Sequence, residues 1–191
     1  MAYIDVEDGL PGITGLLEYR LDSAKPIREL TQILLRGASS LNEGERELIA
    51  ALVSHKNECV FCSSAHTAAA NLLTGDSGIS AAIKEDIDSA PISAKMKALL
   101  KIASKVQESG LSVTEDDVEK ARKKGATDKE IHDTVLITGL FCLYNRYVDG
   151  LNTWTPENPK YYKSLARRIG PKGYLRPPNG YEGKKYYKEE D

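Results

Sequence analysis

Glu47-Leu48-Ile49-Ala50-Ala51-Leu52-Val53-Ser54-His55-Lys56-Asn57-Glu58-Cys59-Val60-Phe61-Cys62-Ser63-Ser64-Ala65-His66 carries two helical signatures and most of the chain's chemistry. Leu48, Ile49, Leu52 and Val53 recur at the spacing of one face of a helix. A second helix is expected to begin near Cys59 and to run through Ala65, Ala68, Ala69, Leu72 and Leu73 to Gly75. On it Cys59, Cys62 and His66 fall three and four residues apart, so all three share one stripe.

The same periodicity extends outward. Asn42 followed by Glu45 has the form of a capping box ahead of the first of these helices. Upstream, Ile27, Leu30, Ile33 and Leu34 form an apolar stripe behind Pro26, which suits a first helical turn, and Gly37 ends it. Downstream, Ser80 to Asp88 is a short helical candidate. Ser93 opens a long amphipathic segment with Met96, Leu99, Leu100, Ala103 and Val106, stopped by Gly110. Thr114 with Asp117 caps another short helix, which Gly125 ends. Thr127 with Glu130 caps a long one carrying Ile131, Val135, Phe141 and Tyr144. Apart from brief β-prone pieces such as Tyr3-Ile4-Asp5-Val6, no alternating strand pattern stands out, so the class is all-α with about six to eight helices.

Length and composition bound the function. The chain has 191 residues, 41% apolar and 28% charged, with a formal net charge of -2. No run approaches the roughly 20 apolar residues of a membrane span. The acidic start, Tyr3-Ile4-Asp5-Val6-Glu7-Asp8, does not read as a secretory signal. Balanced charge gives no footprint for nucleic acid. Three cysteines are too few for a disulfide-stapled scaffold, so a cytoplasmic location is expected and any disulfide would be chemical rather than structural.

Residues 1–155 read as one helical domain and 156–191 as a Tyr/Pro-rich C-terminal arm. The arm holds six of the ten tyrosines, five of the eight prolines and one helical candidate, Pro159 to Ile169. It reads either as a partly ordered tail or as an arm laid over a neighbouring subunit. A basic, tyrosine-rich strip can also touch RNA, although no stacking module accompanies it.

The chemistry concentrates around Cys59 and Cys62. At a helix start, unpaired amides and the macrodipole stabilise a thiolate, the reactive form of cysteine. Cys59, nearer the start, is expected to be the more exposed. His66 can take or hold a proton beside Cys62. Glu47, twelve residues before Cys59, can come back near His66 if the two helices pack as a hairpin. Zinc is the rival reading, with His55, Cys59, Cys62 and His66 as four possible ligands crowded into twelve residues. Cys142 sits in an apolar helix and reads as core; His55 and His132 carry no assigned role.

The run Glu47…Ser54…Cys59-Val60-Phe61-Cys62-x3-His66 resembles the carboxymuconolactone decarboxylase superfamily. It is most similar to the alkylhydroperoxidase D-like, peroxidase-related branch. Asn145-Arg146-Tyr147-Val148-Asp149-Gly150-Leu151 also resembles that branch's distal helix, and the similarity covers roughly residues 25 to 155. The resemblance implies an alkylhydroperoxidase D-like helical bundle that assembles as a homo-oligomer (dimer, trimer or hexamer) and reduces hydroperoxides without a bound cofactor or metal. It makes Cys62 the peroxidatic thiolate, Cys59 the resolving thiol, and His66 with Glu47 the proton relay. The electron donor is a dithiol, for which a lipoylated protein is the best-known case. Phe61 stands where the best-known branch places a histidine, which makes the surroundings less polar and removes one proton acceptor. The other readings are a decarboxylase or isomerase of the same superfamily acting on a small carboxylic acid or lactone, and a zinc-binding assembly module.

Overall fold

The computed structural model describes residues 2–182 and 185–186. Its helices are α1 (Ile13–Tyr19), α2 (Leu21–Arg36), α3 (Glu43–Lys56), α4 (Val60–Thr74), α5 (Ile79–Glu85), α6 (Ala94–Glu108), α7 (Glu115–Lys123), α8 (Asp128–Gly150) and α9 (Pro159–Lys172), with one 3-10 turn at Gly110–Ser112. Among the described residues there is no strand. The β-prone Tyr3–Val6 piece is a loop tied down by the Tyr3 N–H to the Leu151 carbonyl at 3.0 Å.

α3 is the central helix. It packs against α4, α6 and α8, and every residue from Arg46 to Ser54 is buried. A helix buried on all sides needs little amphipathicity, and Ala50 and Ala51 let its neighbours approach closely. Its start is held by the expected capping box: the Glu45 N–H donates to Asn42 Oδ1, and the Asn42 N–H donates to Glu45 Oε2, both at 2.9 Å. The Thr114–Asp117 and Thr127–Glu130 boxes also form, so α7 and α8 begin where their caps place them.

Two apolar clusters result. The larger lies between α2, α3, α6 and α8, around Leu35, Ile49, Leu99 and Phe141. The smaller gathers Cys59, Phe61, Cys62 and Ala65 of α4 with Tyr162, Leu165 and Ile169 of α9. The predicted helix after Pro159 therefore forms, and it closes over the cysteine helix of its own chain. This burial comes at a tight approach: a Cβ on Gly12, which has φ +55°, would lie 2.4 Å from the Phe61 ring.

Three local expectations need correcting. α2 begins at Leu21, so Pro26 lies inside the helix rather than in its first turn. A proline there forgoes one backbone bond, and the tertiary packing of Ala24, Arg28 and Thr31 outweighs that loss. On the same helix Leu30 and Ile33 are 36% and 65% exposed, so half of the apolar stripe faces away from the chain's core. The third concerns Cys59, which is fully buried rather than the more exposed cysteine, because α9 and the smaller cluster cover the start of α4.

Candidate active site

The turn from α3 to α4 sets the site. Asn57 ends α3, and Glu58 follows in the left-handed region at φ +58°. The Glu58 N–H donates to the His55 carbonyl at 2.9 Å and the Cys59 N–H to the Ser54 carbonyl at 3.1 Å. This pair of bonds makes a Schellman turn in which a glutamate occupies the position that favours glycine, at a cost of about 1–2 kcal/mol. The turn folds α4 back along α3 and leaves Cys59 as its N-cap and Cys62 in its first turn. Both thiols are free and buried. The Cys59 thiol is pushed up, first by its hydrogen bond to Cys62 and then by burial, so it stays protonated beside the second sulfur.

The hairpin brings Glu47 of α3 to His66 of α4. His66 Nδ1 lies 2.7 Å from Glu47 Oε2, with the carboxylate fully buried. Burial opposes charge on Glu47. The His66 and Arg36 charges and the Tyr174 hydrogen bond outweigh it and hold the carboxyl below its ordinary range. An ionised Glu47 can only accept, so Nδ1 carries a proton, and when the ring is neutral Nε2 is the nitrogen free to take another. The ring is fixed by an edge contact with Phe141 at 4.5 Å between centroids.

Two further partners of Glu47 escaped the sequence reading. Arg36 Nη2 donates to Glu47 Oε1 at 2.5 Å and also to the Ile169 carbonyl at 3.1 Å, which joins the C-termini of α2 and α9 to the carboxylate. The Tyr174 hydroxyl donates to the same Oε1, and its ring stacks on His66 with 6.1 Å between centroids. Burial, and then the Glu47 charge, raise the Tyr174 hydroxyl well above its ordinary value, so it remains a donor. Arg36 looked like an ordinary basic residue in a last helical turn. Tyr174 lay among many tyrosines beyond the shared core. Neither spacing carries a local signal.

Tyr174 is aimed by its neighbour. Gly173 has φ +70°, and a Cβ there would lie 2.1 Å from Gln32 Oε1, the atom that accepts the Tyr174 N–H at 2.8 Å. Gly173→Ala therefore forces both a strained backbone and a displaced Gln32. It is expected to cost about 2–4 kcal/mol, read as a lower denaturant midpoint with an unchanged slope. A midpoint within error of the parent would show that the Tyr174 segment is not held this way.

Cys62, His66 and Tyr174 open with Phe141, Tyr144 and Arg28 on one cavity of about 60 Å³. Phe61 also lines it, and its ring lies 6.0 Å from that of Tyr162. At the position of the branch's histidine the chain thus offers an apolar wall. His55 lies on the last turn of α3, and Cys142 on α8 accepts a hydrogen bond from Asn57 at 3.5 Å. Among the described residues no group of three or more His, Cys, Asp or Glu side chains is arranged to hold a metal ion, so the zinc set does not converge. Nor is any described helix long and apolar enough to cross a membrane.

Comparison with known proteins points to the same helical fold. Residues 22–71 match the carboxymuconolactone decarboxylase family model. No curated protein matches the chain. An uncharacterized peroxidase-related protein from Silicibacter sp. TM1040 superposes with a TM-score of 0.73 at 27% identity, over 82% of this chain and 81% of that one. An alkylhydroperoxidase AhpD core protein from Ralstonia eutropha JMP134 gives a TM-score of 0.73 at 26% identity over the same shares. A protein from Agrobacterium tumefaciens shares the fold, with a TM-score of 0.65 at 20% identity over 83% of this chain and all of that one.

Proposed function

The chain belongs to the carboxymuconolactone decarboxylase superfamily, in its alkylhydroperoxidase D-like branch, and from that premise we propose that it is a thiol peroxidase. The observation that carries this reading is the buried Glu47–His66 pair, with His66 opening on the same cavity as Cys62 one helical turn away. Ionised Glu47 orients the ring and favours the imidazolium form once His66 has taken the Cys62 proton. The Cys59 thiol, raised by its interaction with Cys62 and by burial, stays protonated beside the Cys62 sulfur and is the thiol left to resolve the oxidised form.

The Cys62 thiolate attacks the terminal oxygen of a hydroperoxide. The O–O bond breaks, Cys62 becomes a sulfenic acid, and the leaving alkoxide takes a proton and departs as an alcohol. The Cys59 sulfur then attacks Cys62, forming the disulfide and releasing water. A dithiol donor restores both thiols by exchange and leaves as its own disulfide. Burial of both sulfurs favours a slender donor such as a lipoyl arm over a bulky thiol protein surface. The exposed Leu30 and Ile33 are where a second copy in a homo-oligomer would cover apolar surface.

The test is the intact mass before and after one equivalent of hydroperoxide. Loss of two hydrogens, mapped to a Cys59–Cys62 peptide and reversed by a dithiol, is expected. An unchanged mass, with peroxide remaining in solution, would overturn the reading.

A further inference from the structure

Beyond the relay, the same cavity has a second polar wall. Arg28 of α2 and Arg168 of α9 both line it, and among the described residues no carboxylate does. Arg28 is 6% exposed, and its Nε is buried with no hydrogen-bond partner. A guanidinium donor left unpaired away from water is costly, and an oxyanion is the group that satisfies it best.

The carboxylate partner of Arg28 is shared. Glu18 pairs with Arg28 at 3.0 Å, but it is shared with Arg176 at 2.7 Å. Arg168 donates to Tyr181 Oη at 3.1 Å, as Arg28 Nη1 does at 3.0 Å. Among the described residues Glu18 thus pairs with two guanidinium groups, while Arg168 donates to the Tyr181 hydroxyl. Tyr181 Oη, accepting from two arginines, has used its lone pairs, and its own proton is left to donate. Both guanidinium groups also lie over the Tyr181 ring, at 5.6 and 5.0 Å from its centroid, which fixes their planes. Leu17, Phe61 and Leu165 add apolar surface to the lining.

We propose that Arg28, Arg168 and Tyr181 form an anion subsite in the wall of the Cys62 cavity, and that the hydroperoxide reduced there carries a carboxylate. The second half rests on the peroxidase reading; the subsite itself does not. The substrate class is a short organic hydroperoxide with a carboxylate at one end, held by the two arginines, and an apolar stem that directs the peroxide towards Cys62.

The experiment measures the alkylation rate of Cys62 by neutral iodoacetamide in the full chain, with butyrate, the isosteric amide butyramide, or chloride at matched ionic strength. Butyrate is expected to slow Cys62 labelling at least about tenfold, with butyramide and chloride doing little. Arg168→Gln, at a half-buried position, should weaken that protection about tenfold, and Arg28→Gln by at least as much, with folding checked by circular dichroism. Equal protection by butyrate and butyramide, or undiminished protection in a folded Arg168→Gln, would overturn the subsite. Peroxidase assays then compare a carboxylate-bearing hydroperoxide with its methyl ester, and a KM at least tenfold lower for the acid is expected. Equal KM values would overturn the substrate class. Butyrate protection without any peroxide consumption would sink the peroxidase reading and the substrate class while leaving the subsite standing.

Discussion

Cys62→Ser is expected to abolish hydroperoxide consumption, with a fall of about 10³-fold or more. A serine hydroxyl cannot supply the anionic sulfur nucleophile at neutral pH, and neither the cavity nor the Glu47–His66 pair replaces it. Cys59→Ser separates the steps. Its Cys62 still attacks the peroxide in a first turnover, but no neighbouring thiol condenses with the product, so a sulfenic acid accumulates. Dimedone should trap it, and mass spectrometry should place the label on Cys62. Label on Cys142 alone would move the reactive centre to α8, where that sulfur is partly exposed. Turnover of a small acid or lactone that survives Cys62→Ser would instead favour the decarboxylase or isomerase reading.

Glu47→Gln has the largest expected effect on stability. The substitution keeps the shape and removes the charge that Arg36, His66 and Tyr174 all address. Arg36, with its side chain buried, then keeps only Glu43, at 4.0 Å, as a carboxylate neighbour among the described residues. Breaking such a pair from one side costs about 3–5 kcal/mol, or roughly 6–20 °C in Tm for a chain of this size. The effect depends on pH in a defined direction. The folded Glu47 carboxyl sits below its ordinary value of 4.5, so its stabilisation is complete above that pH and is lost as the pH falls through the folded value. The variant should therefore differ most from the parent at neutral pH and converge on it in acid. A difference in Tm that stays constant with pH would show that the lost charge is not the cause. The same change should raise the apparent pKa of the reactive thiol, because an uncharged side chain no longer favours the imidazolium beside it. An unchanged pH profile of alkylation would remove Glu47 from the relay.

Much of this was legible along the chain, and the reason is locality. Asn42 with Glu45, Thr114 with Asp117 and Thr127 with Glu130 satisfy backbone amides within their own first turns, so the pattern and the cap coincide. Cys59, Cys62 and His66 lie within eight residues, and helical geometry alone puts them on one stripe. The approach of Glu47 to His66 needed one further step, a tight hairpin, which the Schellman turn at Glu58 supplies. Pro26 misled because proline marks helix starts by local preference, whereas the packing of α2 carries the helix back to Leu21. Cys59 misled because exposure at a helix start holds only if nothing covers it, and α9 does.

By itself the order of residues determined the helical class, the caps and the cysteine–histidine stripe, since each follows from contacts within about four positions. Tertiary structure alone decided that Arg36 and Tyr174 complete the carboxylate's shell, and that Arg28, Arg168 and Tyr181 meet at the wall of the same cavity. Tyr174 reaches Glu47 across 127 positions and Tyr181 reaches Arg28 across 153. No repeat or spacing encodes such a meeting. It arises because α9 must bury its apolar face against α4, and in doing so it delivers the following segment to the mouth of the site.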